Sequence, residues 1–171
     1  YDFQFSGGVY HEIFTLGAGW SGSIKDAGFK GELEYFAPHE DTVAQLNLTA
    51  ELDYVFKKAW YGNIGFLFNS NGISKPVDNW SLVNFQLTPQ SLMPTKWNAV
   101  LTIAKELNPL FSANLSCIYS PGTNLIILLP SVKYNLATNC DVDLVWQSFF
   151  AEQQNDLSGV AHRGFIRIKW S

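Results

Sequence analysis

Apolar and polar side chains alternate along residues 42–56, TVAQLNLTAELDYVF, almost without error. Ala44, Leu46, Leu48, Ala50, Leu52, Tyr54 and Phe56 share one parity; Gln45, Asn47, Thr49, Glu51 and Asp53 share the other. Successive side chains of a strand point to opposite faces, so the segment predicts one long strand, apolar on one side and polar on the other. It exceeds the ~5–6 residues of a typical soluble strand and reaches the ~9–11 that a membrane-spanning strand needs.

The same alternation predicts ten strands, at 1–9, 13–21, 28–36, 42–56, 60–70, 96–107, 110–120, 124–136, 140–151 and 160–170. Turn chemistry separates them, as in Lys25-Asp26-Ala27-Gly28, Pro38-His39-Glu40-Asp41, Asn108-Pro109, Ser120-Pro121-Gly122-Thr123-Asn124 and Thr138-Asn139. Two connectors are longer, 71–95 and 152–159, and the first stands out, because coil of that length in a compact domain is usually functional or disordered. Counted alternately, both fall on the same side as 10–12, 37–41 and 120–124, while the other side has only short turns. Outer-membrane barrels show this asymmetry, with long loops outside and short turns on the periplasmic side. No helical period survives. Residues 91–105 come nearest, but Pro94 and the alternation after it favour a strand.

Composition sharpens this picture. At 171 residues the chain suits one domain. Mean hydropathy is zero although 15% of residues are aromatic, as expected when polar positions cancel apolar ones along alternating strands. No run of ~18 apolar residues exists, which excludes a transmembrane helix. A net charge of −4 without a basic cluster argues against a nucleic-acid surface. Cys117 and Cys140 fall in strand-like segments, and spacing alone does not decide whether they bridge. No signal peptide opens the chain, which reads as a mature protein or a piece of a longer one.

The polar parity holds Lys30, Glu32, Glu34, Glu51, Asp53, Glu106, Lys133, Asp141, Asp143, Arg167 and Lys169. The apolar parity has little charge, with Lys105 near a strand end as its main exception. Soluble barrels turn their apolar side inward; a face this charged suits a wet lumen instead. Asp141 and Asp143 begin their strand where Arg167 and Lys169 end theirs, and Lys133 reaches a similar height. An interior ion cluster of these five is therefore expected near the periplasmic rim. Hydrated cross-strand pairs contribute only ~0.2–1 kcal/mol each, so the cluster either holds register or tunes ion selectivity.

Aromatic residues collect towards strand ends: Trp20, Tyr35, Phe36, Tyr54, Phe56, Trp60, Tyr61, Trp97, Phe111, Tyr119, Tyr134 and Trp170. Two interfacial girdles produce such a distribution. The 71–95 connector is too apolar for a solvated loop, with Trp80, Phe85, Leu87 and Met93 its candidate contacts. Either it folds into the barrel as a constriction, packs over the mouth, or binds a partner. His11, His39 and His162 sit at the expected outer connectors or their rim. A general base needs an orienting carboxylate and a nucleophile in reach, and no G-x-S-x-G elbow, zinc spacing or phosphate-cradling glycine loop accompanies them. No catalytic residue, metal or cofactor is expected.

Several short motifs carry a resemblance. Gly17-Ala18-Gly19-Trp20-Ser21-Gly22 with Gly28-Phe29-Lys30-Gly31-Glu32, Leu92-Met93-Pro94-Thr95-Lys96, Ile118-Tyr119-Ser120-Pro121-Gly122-Thr123-Asn124 and the terminal Arg167-Ile168-Lys169-Trp170-Ser171 resemble the C-terminal half of porin-like outer-membrane β-barrel proteins of the Bacteroidota. The resemblance implies a parent roughly twice this length and a final aromatic signal near Trp170; it names no substrate. The expectation is an all-β, antiparallel, up-and-down transmembrane barrel, or part of a larger one, in the outer membrane of a Gram-negative bacterium, with 71–95 as an extracellular loop. Its partners would be outer-membrane lipid and lipopolysaccharide, not nucleic acid. Passive passage of small polar solutes is the first function expected. An accessory subunit with a membrane-protein partner, or a soluble ligand-binding barrel, are the alternatives.

Overall fold

The computed structural model describes residues 1–39, 43–77, 88–153 and 156–170. The described residues form ten strands and no helix: β1 (Asp2–Tyr10), β2 (Ile13–Ile24), β3 (Ala27–Phe36), β4 (Gln45–Phe56), β5 (Trp60–Asn69), β6 (Trp97–Asn108), β7 (Phe111–Ser120), β8 (Leu125–Ala137), β9 (Cys140–Gln153) and β10 (Asp156–Trp170). They lie in one sheet in chain order, each antiparallel to the next. All ten expected strands are present. Closure is not: β1 and β10 are the two edges of an open sheet.

Two boundaries differ from the periodicity. β4 opens at Gln45, and Thr42 lies outside the described residues. Of the expected 152–159 connector, residues 152–153 and 156–159 are strand instead, with Leu157 opposite Glu152, Ser158 opposite Ala151 and Gly159 opposite Phe150. The cause is a bulge between Gly159 and Ala161 that leaves Val160 as an extra residue. A bulge shifts the period-2 pattern by one, so the two halves of β10 read out of phase and the first half looks like loop.

The hairpin ends are unequal. At one end the turns at 25–26, 57–59, 109–110 and 138–139 are all short. The other end carries the longer connections 37–44 and 70–96 beside the short turns at 11–12 and 121–124. Several tight turns place non-glycine residues in the left-handed region, among them Lys58 (φ 61°), Ala59 (φ 57°) and Asn139 (φ 68°), the backbone that the right-handed strand twist demands of short hairpins.

Register fixes which face each side chain takes. On the polar face Glu34 lies opposite Asn47, Asn47 opposite Asn69, Asp53 opposite Asn63 and Asn63 opposite Thr102. On the other face Leu48 lies opposite Phe68, Leu52 opposite Ile64 and Ile64 opposite Leu101. None of the described residues covers that apolar face. Phe5, Ile64, Ile166 and Trp170 are all exposed, Phe5 by 82%. The packed core sits on the opposite, polar face, at the loop end. Leu125, Ile127 and Ala151 are buried there with Val77 and Met93 of the long loop packed against them, together with Ile118, Leu129, Phe149 and Val160.

This asymmetry has a measurable consequence. Leu125→Ala is expected to destabilise the protein by roughly 2–5 kcal/mol, as buried leucines do. Phe5→Ala, which removes no packing, should stay within ~0.5 kcal/mol. Guanidinium unfolding midpoints read both, and equal effects would place the core elsewhere.

Candidate functional site on the polar face

The polar face is zoned along the strand axis. At its loop end, the connector after β5 folds back onto the sheet. Ile73 bridges Thr95 in parallel, with Ile73 N donating to Pro94 O at 2.8 Å and Lys96 N to Ile73 O at 2.8 Å. Asn69 N donates to Lys96 O at 2.9 Å, which seats this bridge at the end of β5. Two glycines permit the approach. A Cβ on Gly72 would lie 2.5 Å from Lys96 N, and one on Gly122 (φ +90°), in the β7–β8 turn, 2.8 Å from Ser74 O. Neither backbone can yield to an added methyl without moving the loop.

Amide side chains of the wall then hold the returning segment. Asn47 Nδ2 donates to Gln90 O at 3.0 Å and Asn69 Nδ2 to Met93 O at 3.2 Å. Gln45 Nε2 donates to Asn69 Oδ1 at 3.1 Å and also to Gln90 O. Further round the sheet, Thr95 Oγ1, Asn98 Oδ1 and Ser120 Oγ form a closed triangle with edges of 2.5, 2.7 and 3.0 Å. Asn98 Nδ2 donates to Thr95 O at 3.0 Å. Thr95, Asn98 and Ser120 are at most 1% exposed. Burying a polar group is costly unless it is hydrogen-bonded, and here each satisfies another. Of the four loop residues singled out from sequence, Met93 is seated on the polar face; Trp80, Phe85 and Leu87 lie outside the described residues.

Charge occupies the middle and the short-turn end. On β3 and β4, Lys30 Nζ pairs with Glu51 Oε1 at 2.8 Å, and Asn63 Nδ2 donates to Glu51 Oε2 at 3.1 Å. Asp53 sits opposite Gly28 and Asn63, Glu32 opposite Gly19 and Thr49, Glu34 opposite Gly17 and Asn47. These positions hold one cation against four carboxylates. Across β8–β10 the balance reverses. Lys133 Nζ lies 3.1 Å from Asp141 Oδ2, Asn135 Nδ2 donates to Asp141 Oδ1 at 2.9 Å, and Arg167 Nε donates to Asp143 Oδ2 at 2.6 Å. Lys169 is opposite Asp141 in the ladder, Arg167 opposite Asp143, and Lys133 opposite Asp143 from the other side. The structure thus brings together the five residues Lys133, Asp141, Asp143, Arg167 and Lys169. Glu106 lies opposite Ser112 and shares a recess with Lys133 and Asp141.

The apolar face carries two rows of aromatics. Trp20 and Phe29, Tyr54 and Phe56, and Phe111 and Tyr134 pack ring to ring towards the short turns. Phe66 and Phe68 pack on Trp97 towards the loops. Phe36 and Tyr61 do not belong to these rows, because register puts both on the polar face. Cys117 and Cys140 are free thiols.

The histidines do not converge. His39 Nε2 lies 3.8 Å from Glu12 Oε2, and His11 packs edge-on to Tyr10. His162 faces the apolar side, where its Nδ1 lies 3.0 Å from Ser148 Oγ, which also accepts Trp146 Nε1 at 2.9 Å. Sequence reasoning missed this pair because the bulge before Ala161 sets which side His162 takes.

No protein-family model, curated protein or solved structure matches this chain.

The triangle beneath the loop yields a prediction. Asn98→Ala leaves the Thr95 carbonyl and both hydroxyls short of a buried partner, a loss of roughly 1–3 kcal/mol. The unfolding midpoint should fall, and limited proteolysis should cut within 71–95 faster than in the wild-type protein. Unchanged cleavage would mean the triangle does not hold the loop.

Proposed function

We propose that the sheet is the wall of an outer-membrane β-barrel, polar face inward, and that the protein works as a porin-like passive conduit for small polar solutes. The observation that carries this reading is the uncovered apolar face. It extends over ten strands of 9–15 residues, with Ser148 and His162 as a polar pair within it, opposite a face rich in charge. A membrane-spanning strand needs ~9–11 residues, and lipid is the solvent that an exposed apolar band suits. Charged residues on that face, Lys105 and Glu152, lie near strand ends, where a long side chain can snorkel to water.

In this reading the residues act in series. The 88–96 segment, held by Asn47, Asn69, Asn98 and Ser120, narrows the loop end of the conduit. Beyond it a solute meets an acidic side at Glu32, Glu34, Glu51 and Asp53 and a basic side at Lys133, Arg167 and Lys169. Fixed charges of both signs attract either ion and reject neither strongly, so selectivity is weak. Passage needs no proton transfer, covalent step or cofactor.

One observation favours a second reading. β1 and β10 are edges, and hydrocarbon cannot solvate their free ladder groups. A membrane-protein partner that supplies the pairing strands would make this chain an accessory subunit of a larger assembly. A complex that survives mild detergent would identify that case.

The test is reconstitution of the detergent-purified protein into planar bilayers. Stepwise ohmic conductance is expected. Arg167→Glu with Lys169→Glu should shift the reversal potential in a salt gradient towards cation preference. A protein that stays monodisperse without detergent, or that gives no conductance, overturns the conduit.

A further inference from the structure

We infer that the apolar face carries a binding site for an anionic phospholipid between β4 and β6 at the short-turn rim. The inference rests on the membrane reading above and goes beyond it by naming a ligand. A groove of about 580 Å³ opens on this face, walled by Tyr54, Phe56, Trp60, Ile64, Leu101 and Ile103. Its floor is Gly62, which lies between Tyr54 and Ile103 in the ladder. The Phe56 ring lies against this glycine, 3.0 Å from where a Cβ would sit, so the absent side chain makes room for the ring and the two line a trough between large neighbours. A trough of this chemistry accepts hydrocarbon chains.

The rim of the trough is basic. Lys105 is opposite Trp60 in the ladder, and its Nζ lies 4.7 Å from the centroid of the indole. Lys57 and Lys58 stand in the turn that joins β4 to β5, both exposed. No ion pair among the described residues engages any of the three. By contrast, Lys30 and Lys133 on the polar face are paired with carboxylates. Cations without counter-charge above an apolar trough match an amphiphile whose negative group sits at the rim and whose chains run down the wall. A phospholipid phosphodiester with an uncharged headgroup alcohol fits both parts. A zwitterionic choline headgroup would set its own cation against the lysines. The indole of Trp60 holds Lys105 in place by cation–π attraction and itself belongs at the headgroup level.

The experiment uses the whole protein, delipidated in mild detergent and incubated with either phosphatidylglycerol or phosphatidylcholine, with retained lipid read by native mass spectrometry. Preferential retention of phosphatidylglycerol is expected. Lys57→Gln, Lys58→Gln and Lys105→Gln together should lower it by about tenfold or more, given that each lysine near an anionic lipid contributes roughly 1 kcal/mol. Lys25→Gln, in the neighbouring turn on the same rim, should leave it unchanged. Equal retention of the two lipids, an unaffected triple variant, or an equal loss from Lys25→Gln would overturn the site while the protein still requires detergent. A protein that remains monodisperse without detergent would overturn the membrane reading and the site with it.

Discussion

Backbone pairing in strict alternation is the constraint on which the rest of this structure depends. Once β1–β10 are hydrogen-bonded in chain order, each residue's parity fixes its face, and only a bulge can change that. The sequence places most of its apolar strand residues on one parity and almost every charged one on the other. The result is a sheet whose apolar side has no partner among the described residues. A soluble sheet of this kind would fold over and bury that side, as sandwiches and small barrels do. Here the loop covers the opposite side.

That placement organises the polar face. The loop turns back at the end of β5 because Gly72 and Gly122 leave room for main chain beside main chain. Amides on β4, β5 and β6 then satisfy loop carbonyls that would otherwise face wall or water. Met93 and Val77 pack against Leu125, Ile127 and Ala151, the buried apolar cluster among the described residues. An apolar patch on a polar wall is thereby explained: it is the seat of the loop. The charged zones occupy the part of the face that the described loop residues leave open.

The two faces also differ in how charge is handled. On the polar face, lysine and arginine meet carboxylates across the ladder, in pairs such as Lys30–Glu51 and Lys133–Asp141. These pairs are partly exposed, so each adds little stability and mainly sets the local field. On the apolar face the cation Lys105 rests on an aromatic ring. The first arrangement suits a hydrated face, and under the membrane reading proposed above the second suits an interface between water and hydrocarbon.

Period-2 alternation made all ten strands legible, and it placed Lys30, Glu32, Glu34, Glu51, Asp53, Asp141, Asp143, Arg167 and Lys169 on one face, because a strand's side chains obey parity whatever surrounds them. Antiparallel order likewise brought Lys133 level with Asp141 and Asp143 before any contact was known. Parity failed where the backbone broke it: the bulge at Val160 hid the start of β10 and the Ser148–His162 contact. Nearness to strand ends alone groups Phe36 and Tyr61 with the girdles, and parity is what removes them, since register puts both on the polar face. Where the long loop goes was beyond sequence, because its seat is assembled from Asn47, Asn69, Asn98, Ser120 and Leu125, which belong to five different strands. Only the tertiary structure decides such a site, since side chains far apart in the chain become neighbours through register, and register is a property of the whole sheet.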